Sequence, residues 1–188
     1  MPSLREYQSY VSLPQVRAAL DTIAWAEGGK SYNTLFGGGT FLGNQHPNRA
    51  ITAGGYTSTA AGRYQFLSST WGDIRQALGL SDFGPASQDV GAVYLIWERG
   101  QLGKLLAGDF EGMMRGLGCL WAALPYATCG QTRRGLSETM SRYRSLLASY
   151  GGVATSATLP SSPANSMSKS TVLALTLAGV AVLYLVTE

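Results

Sequence analysis

The sequence predicts an α+β fold: a mainly helical body carrying one small antiparallel hairpin, followed by a flexible linker and a single transmembrane helix. Three observations carry this expectation. Stretches beginning near Pro14, Ser68, Ser87, Asp109 and Leu136 have helix-start residues, helix-stop glycines or apolar residues at helical spacing. A long glycine-rich region, Gly29–Gly62, lies between the first two and holds only short alternating runs. Beyond Gly152 the composition turns to small polar residues and proline, and then to an almost uninterrupted apolar run.

Leu4–Leu13 has no decisive pattern. The first firm helix spans roughly Pro14–Gly28, because proline suits a first helical turn, where its missing N–H would be unpaired in any case. Val16, Leu20, Ile23, Ala24 and Glu27 share one face of it. A carboxylate therefore stands at the end of a stripe that otherwise faces the core. Gly28 and Gly29 then stop the helix. A carboxyl placed there loses solvation, so its pKa rises and a proton stays available near neutral pH. The competing reading is a glutamate at a frayed helix end with its head in water.

In the glycine-rich region, alternation in Ala50–Ala53 and in Arg63–Phe66 predicts a small antiparallel hairpin. A loop of this length inside a compact domain is normally functional. Ser68 or Ser69 caps a helix that Gly79 ends. Another starts at Ser87, with Val90, Val93, Tyr94 and Trp97 as a buried stripe, and closes at Gly100. Asp109 caps a third, expected to run through Met113 and Met114 to Leu120 and Trp121 before Pro125 breaks it. The methionines read as core filler. Leu136, Met140, Tyr143, Leu147 and Tyr150 mark the last domain helix, with Arg133, Arg134, Arg142 and Arg144 on the exposed side. Residues 1–151 thus form the folded domain. Residues 152–169, rich in Ser, Thr and Pro, cannot bury enough surface to fold and form a linker. Residues 170–187 read as the transmembrane helix, with no charge between Lys169 and Glu188. The apolar core of that helix is short for a bilayer about 30 Å thick but usable.

Composition excludes several classes. Charged residues are 13% of the 188-residue chain, and the net charge is +3. This is too mild for a nucleic-acid partner, where clustered base is expected; it fits an anionic polymer or a bacterial envelope. With a single histidine, His46, and two cysteines, Cys119 and Cys129, the chain lacks the ligand set of the usual zinc sites. No metal or other cofactor is expected. The cysteines can pair in an oxidising compartment, and two free thiols are the expected state. The polar, mixed-charge N-terminus does not read as a cleavable signal peptide.

A glycosidase usually needs two carboxyls, one a proton donor and one a nucleophile or base. Glu27 suits the first role. The second is missing: no Asp or Glu occurs from Gly28 through Gly72. Asp21 lies on another helix face, and Asp73, Asp82, Asp89 and Glu98 sit where capping or surface roles explain them. Cleavage with one carboxyl is possible when the sugar supplies the nucleophile. The acetamido oxygen of an N-acetylmuramyl unit stabilises the cation at C1, its 6-hydroxyl attacks, and the same glutamate then acts as base. The product is a 1,6-anhydro sugar.

Ala24-Trp-Ala-Glu27-Gly28 resembles the start of the lambda-type phage endolysins, lytic transglycosylases of the lysozyme superfamily. Tyr32, Phe36–Phe41 and His46-Pro47 continue the resemblance, as do Ser58–Leu67, Trp71, Leu78–Asp89, Glu98–Leu102, Gly108-Asp109, Trp121–Pro125 and Gly130-Gln131. Covering about Asp21–Gly152 in one order, it implies a bilobal lysozyme-like fold with the sugar strand between a hairpin lobe and a helical lobe. It also implies Glu27 as sole acid/base, and Ser58, Tyr64, Gln65 and Gln131 as saccharide contacts. Gln45 stands where the family often has an acid before His-Pro, and Cys129 where it often has Tyr before Gly-Gln; both changes bear on saccharide contacts. The added apolar C-terminus departs from the family pattern and implies a single-pass, membrane-anchored version in a virion membrane or host inner membrane. Such an enzyme would open the wall for genome delivery or host lysis, with peptidoglycan strands and that membrane as partners.

Three other readings fit the same residues. One is a hydrolysing lysozyme, with water held by Thr59, Tyr64 or Gln65. Another is a Cys-His peptidase built from His46 with Cys119 or Cys129. The last is a virion membrane protein that only binds glycan.

Overall fold

The structure, a computed structural model, describes residues 1–29, 31–153, 176–177 and 180–181. It opens with a helix the sequence left undecided, α1 (Leu4–Val11). Ser3 caps it: its hydroxyl accepts from the Glu6 N–H, and the Glu6 carboxylate accepts from the Ser3 N–H at 2.7 Å. That reciprocal pair was legible as Ser-x-x-Glu. Periodicity missed the helix because Tyr7 is its one buried residue. The Tyr7 ring meets those of Tyr94 and Trp97 edge-on, at 6.0 and 6.4 Å.

Helix α2 (Pro14–Ala26) is as expected, with Pro14 in its first turn and Val16, Ala19, Leu20, Ile23 and Ala24 buried. Glu27 is its C-cap. The Gly29 N–H bonds the Ala24 carbonyl at 2.9 Å. A Cβ on Gly29 would collide with the Arg63 carbonyl, so glycine is what lets the helix end lie against the Arg63 loop.

A single 3₁₀ turn at Phe36–Gly38 precedes the hairpin. Strand β1 (Ile51–Ala53) pairs with β2 (Tyr56–Ser58), Ile51 opposite Ser58 and Ala53 opposite Tyr56. Gly54 and Gly55 connect them with φ of 57° and 82°, the two positive values a two-residue type I′ hairpin turn needs. The first expected strand is therefore found, but its partner is not Arg63–Phe66. That run is a tight loop whose ends bond each other: the Ala61 N–H donates to the Phe66 carbonyl and the Phe66 N–H to the Ala61 carbonyl, at 3.0 and 2.9 Å. A four-residue alternation cannot separate such a loop from a strand.

The remaining helices are α3 (Ser68–Leu78), α4 (Pro85–Glu98), α5 (Leu102–Leu106), α6 (Phe110–Gly116) and α7 (Leu136–Ser149). Leu67, not a serine, occupies the N-cap of α3, and the Ser68 N–H is instead satisfied by the Thr59 hydroxyl at 3.1 Å. Helix α4 starts two residues earlier than expected, at Pro85, and Asp82 accepts from Gly84 and Ser87 in front of it. Every residue of α4 from Val90 to Ile96 is buried, so it is the central helix rather than one with a single core stripe. Asp109 caps α6 through the Gly112 N–H at 2.8 Å. That helix stops at Gly116, short of the expected Trp121; Leu117 and Trp121 stay buried in turns, so the apolar spacing outlasts the helix. Helix α7 lies against α2, and its Tyr143 stacks on Phe110 with ring centres 4.3 Å apart.

The expected membrane-anchored location is corrected. No helix among the described residues is long and apolar enough to cross a membrane. Within the span assigned to one helix, 170–187, Thr176–Leu177 (β3) and Val180–Ala181 (β4) form an antiparallel ladder. A spanning helix needs about 20 unbroken helical residues, which a ladder at that position does not leave. The rest of that span, and the linker beyond Val153, lie outside the described residues.

The cap on α1 gives a stability test. Ser3→Ala should lower unfolding stability by about 1 kcal/mol, read as a shift of the urea midpoint at unchanged slope. An unshifted midpoint would mean that α1 contributes nothing to the cooperative unit.

Candidate active site

A groove of about 490 Å³ runs between the hairpin and the segment after α6. Its walls come from the end of α2 (Ala26 and Glu27), from the hairpin (Tyr56, Thr57 and Ser58), from Gln65, and from Cys119–Ala123 with Cys129 and Gln131. Four of the residues predicted from sequence thus meet in one place: Glu27, Ser58, Gln65 and Gln131. Among the described residues lining it, Glu27 is the only carboxylate.

The helix places Glu27. As C-cap of α2 it projects from the last turn of a buried helix, and one oxygen accepts the backbone N–H of Ala123 at 3.0 Å. Burial raises its pKa above the ordinary carboxylate value; the Ala123 N–H and the positive charge of Arg134 pull the other way without overcoming it. Arg134 reaches this point because its own N–H bonds the Ala123 carbonyl at 2.8 Å. Its guanidinium lies 4.6 Å from the centre of the Trp25 ring.

The hairpin places Ser58 at the end of β2, where its hydroxyl accepts from the Ala60 N–H at 3.1 Å. Gln65 holds φ of +51°, a conformation a non-glycine residue adopts only when its surroundings enforce it. Its side-chain amide donates to the Gly62 carbonyl at 2.9 Å, tying the head back over the loop.

Two predicted contacts lie elsewhere. Gln45 donates to the Ser81 carbonyl at 2.9 Å and lines a separate small depression with His46, Trp71 and Arg75. Tyr64 is buried, and its hydroxyl donates to Asp89 at 2.6 Å. Asp89 also accepts from Tyr32 at 2.9 Å, so it belongs to the interior of α4 rather than to its surface as expected. Arg63 carries the network onward, donating to the Tyr32 hydroxyl at 3.0 Å and to Asp21 at 2.5 Å; the Tyr150 hydroxyl closes on the other Asp21 oxygen. This chain ties the Arg63–Gln65 loop to α2, α4 and the end of α7.

Sequence reasoning missed three contributors. The Ala123 N–H carries no side-chain signal at all. Arg134 read as a solvated arginine, and nothing local marks its approach to Glu27. Cys119 and Cys129 are bonded to each other at the groove's edge instead of being free thiols. Neither is then available as a nucleophile, and His46 is held by Asn48 and the Phe66 carbonyl, each at 2.9 Å.

Comparison with known proteins places the chain among relatives of one kind. The family model described as Endolysin matches residues 17–151. The endolysin of Escherichia phage lambda is 36% identical over 141 residues, covering 69% of this chain and 89% of that one. The endolysin of Escherichia phage P2 is 40% identical over 98 residues, covering 52% of this chain and 59% of that one. The solved structure of bacteriophage lambda lysozyme complexed with a chitohexasaccharide superposes with a TM-score of 0.68 at 34% identity, over 75% of this chain and 96% of that one.

The raised pKa of Glu27 has a thermodynamic consequence. Its protonated form is favoured by folding, so its contribution to stability is intact below the ordinary carboxylate pKa and is lost as pH rises through the elevated folded value. Glu27→Gln keeps an acceptor for the Ala123 N–H and removes the titration. It should melt higher than wild type at pH 7, with the difference shrinking toward pH 4. A difference independent of pH would refute the desolvated carboxyl.

Proposed function

The chain belongs to the endolysin family, and we propose that it is a peptidoglycan lytic transglycosylase. It cleaves the β-1,4 bond between N-acetylmuramic acid and N-acetylglucosamine and leaves a 1,6-anhydromuramyl end. The activity resides in residues 1–151. What supports this reading above all is the lone carboxylate, Glu27, desolvated in a groove with polar groups across from it.

In this mechanism Glu27 enters protonated, the form that burial favours, and donates its proton to the leaving glycosidic oxygen. The C1–O bond breaks as the acetamido oxygen of the muramyl unit shares the positive charge at C1. Glu27, now ionised, is steadied by the Ala123 N–H and by Arg134. It takes the proton of the 6-hydroxyl as that oxygen bonds C1. The proton returns to the glutamate, and no water is consumed. Ser58, Gln65 and Gln131 are the saccharide-binding groups, since hydroxyl and amide heads both give and accept hydrogen bonds.

The hydrolytic alternative needs a group to hold an attacking water. Of its three candidates, Thr59 accepts from the Ser68 N–H and Tyr64 is bound to Asp89, which leaves Gln65 alone at the groove.

Glu27→Gln should abolish clearing of purified cell walls. Products of the wild type should be one water lighter by mass than those of a hydrolysing muramidase. Activity should fall as pH rises through the elevated pKa of Glu27, since the acid must start protonated. Products carrying the added water would reject the transglycosylase chemistry.

A further inference from the structure

Beside the groove lies a second pocket of about 410 Å³ that the mechanism does not use. Its lining includes Asp21, Trp25, Gly29, Arg63 and Arg142. The two spaces share the last turn of α2: Ala26 and Glu27 line one, Ala24 and Trp25 the other. Arg134 links them, because its guanidinium lies over the Trp25 ring while its charge is felt at Glu27.

Arg63 and Arg142 line this pocket, and Arg134 adjoins it over Trp25; these charges are not equivalent. Arg63 is satisfied by Asp21 at 2.5 Å. Arg134 and Arg142 have no carboxylate within salt-bridge distance among the described residues. Both instead lie over one indole, at 4.6 and 5.0 Å from its centre. Stacking pre-orders guanidinium groups and lowers the entropy a ligand must overcome in fixing them. Two such groups beside a pocket are suited to carboxylates, which they bind in a bidentate manner.

We propose that this pocket receives a carboxylate of the acidic peptide carried on the lactyl group of the muramyl unit, with Arg142 and Arg134 as its counter-charges and Trp25 as its platform. The proposal rests on peptidoglycan being the substrate, as argued above. The pocket adjoins the groove through the last turn of α2, where Ala24 and Trp25 line one space and Ala26 and Glu27 the other.

The test is binding, measured by calorimetry on the full-length Glu27→Gln protein so that nothing is cleaved. The probes are glycan oligomers bearing their peptides and the same oligomers freed of peptide by an amidase. Adding Arg142→Glu should weaken binding of the peptide-bearing oligomer about tenfold and leave the stripped one unchanged. Arg142→Lys, which keeps the charge but loses the planar fork, should fall between wild type and Arg142→Glu. Raised salt should narrow the gap between the two oligomers. Equal loss on both oligomers, or loss on neither, overturns the proposal, and unchanged binding of the stripped oligomer shows that the variant is folded. Water-bearing cleavage products would defeat the transglycosylase chemistry and leave this comparison standing. A protein that binds neither oligomer would defeat both readings.

Discussion

The site depends on one hydrogen bond that crosses it, from the Ala123 N–H to the Glu27 carboxylate at 3.0 Å. A carboxyl at the end of a buried helix has lost much of its water, and a single backbone donor restores only part of what was lost. The result is a group whose protonated form is favoured and which has a partner ready once the proton leaves. The same bond ties the end of α2 to the segment after α6, which forms one wall of the groove. Arg134 strengthens the arrangement from the side, because its own backbone holds the Ala123 carbonyl.

Behind that bond stands the polar chain Tyr150–Asp21–Arg63–Tyr32–Asp89–Tyr64. Buried charges are costly unless paired, and each member here has a partner. The chain anchors the loop that carries Gln65, and that anchoring maintains the positive φ there. Three tyrosines, Tyr32, Tyr64 and Tyr150, thus hold this network together, and of them only Tyr64 was expected at the saccharide.

Much of this was legible beforehand, and the exceptions have physical causes. Helix α2 and its terminal glutamate were readable because helical period, an N-terminal proline and stop glycines agreed. The hairpin's first strand was readable, but its partner and the two-residue turn at Gly54-Gly55 were not, since short alternation also describes a loop closed on itself. Helix α1 was hidden because it buries one side chain, Tyr7. Ser58, Gln65 and Gln131 were placed through resemblance, and the groove gathers them. Tyr64 stands next to Gln65 but turns inward to Asp89, because adjacent residues on a turn point in different directions, and Gln45, from the His-Pro stretch, bonds the Ser81 carbonyl away from the groove. The C-terminal apolar run misled for a simpler reason: hydropathy reports what a segment can tolerate, while the pairing of Thr176–Leu177 with Val180–Ala181 is a matter of backbone geometry.

The bond between Cys119 and Cys129 joins positions separated by 10 in sequence and encloses Ala123. Closing a loop of that size removes on the order of 3 kcal/mol of chain entropy from the unfolded state. The far bank of the groove is consequently cross-braced before any sugar arrives, and an arriving strand meets a finished channel instead of spending its own binding energy to shape one.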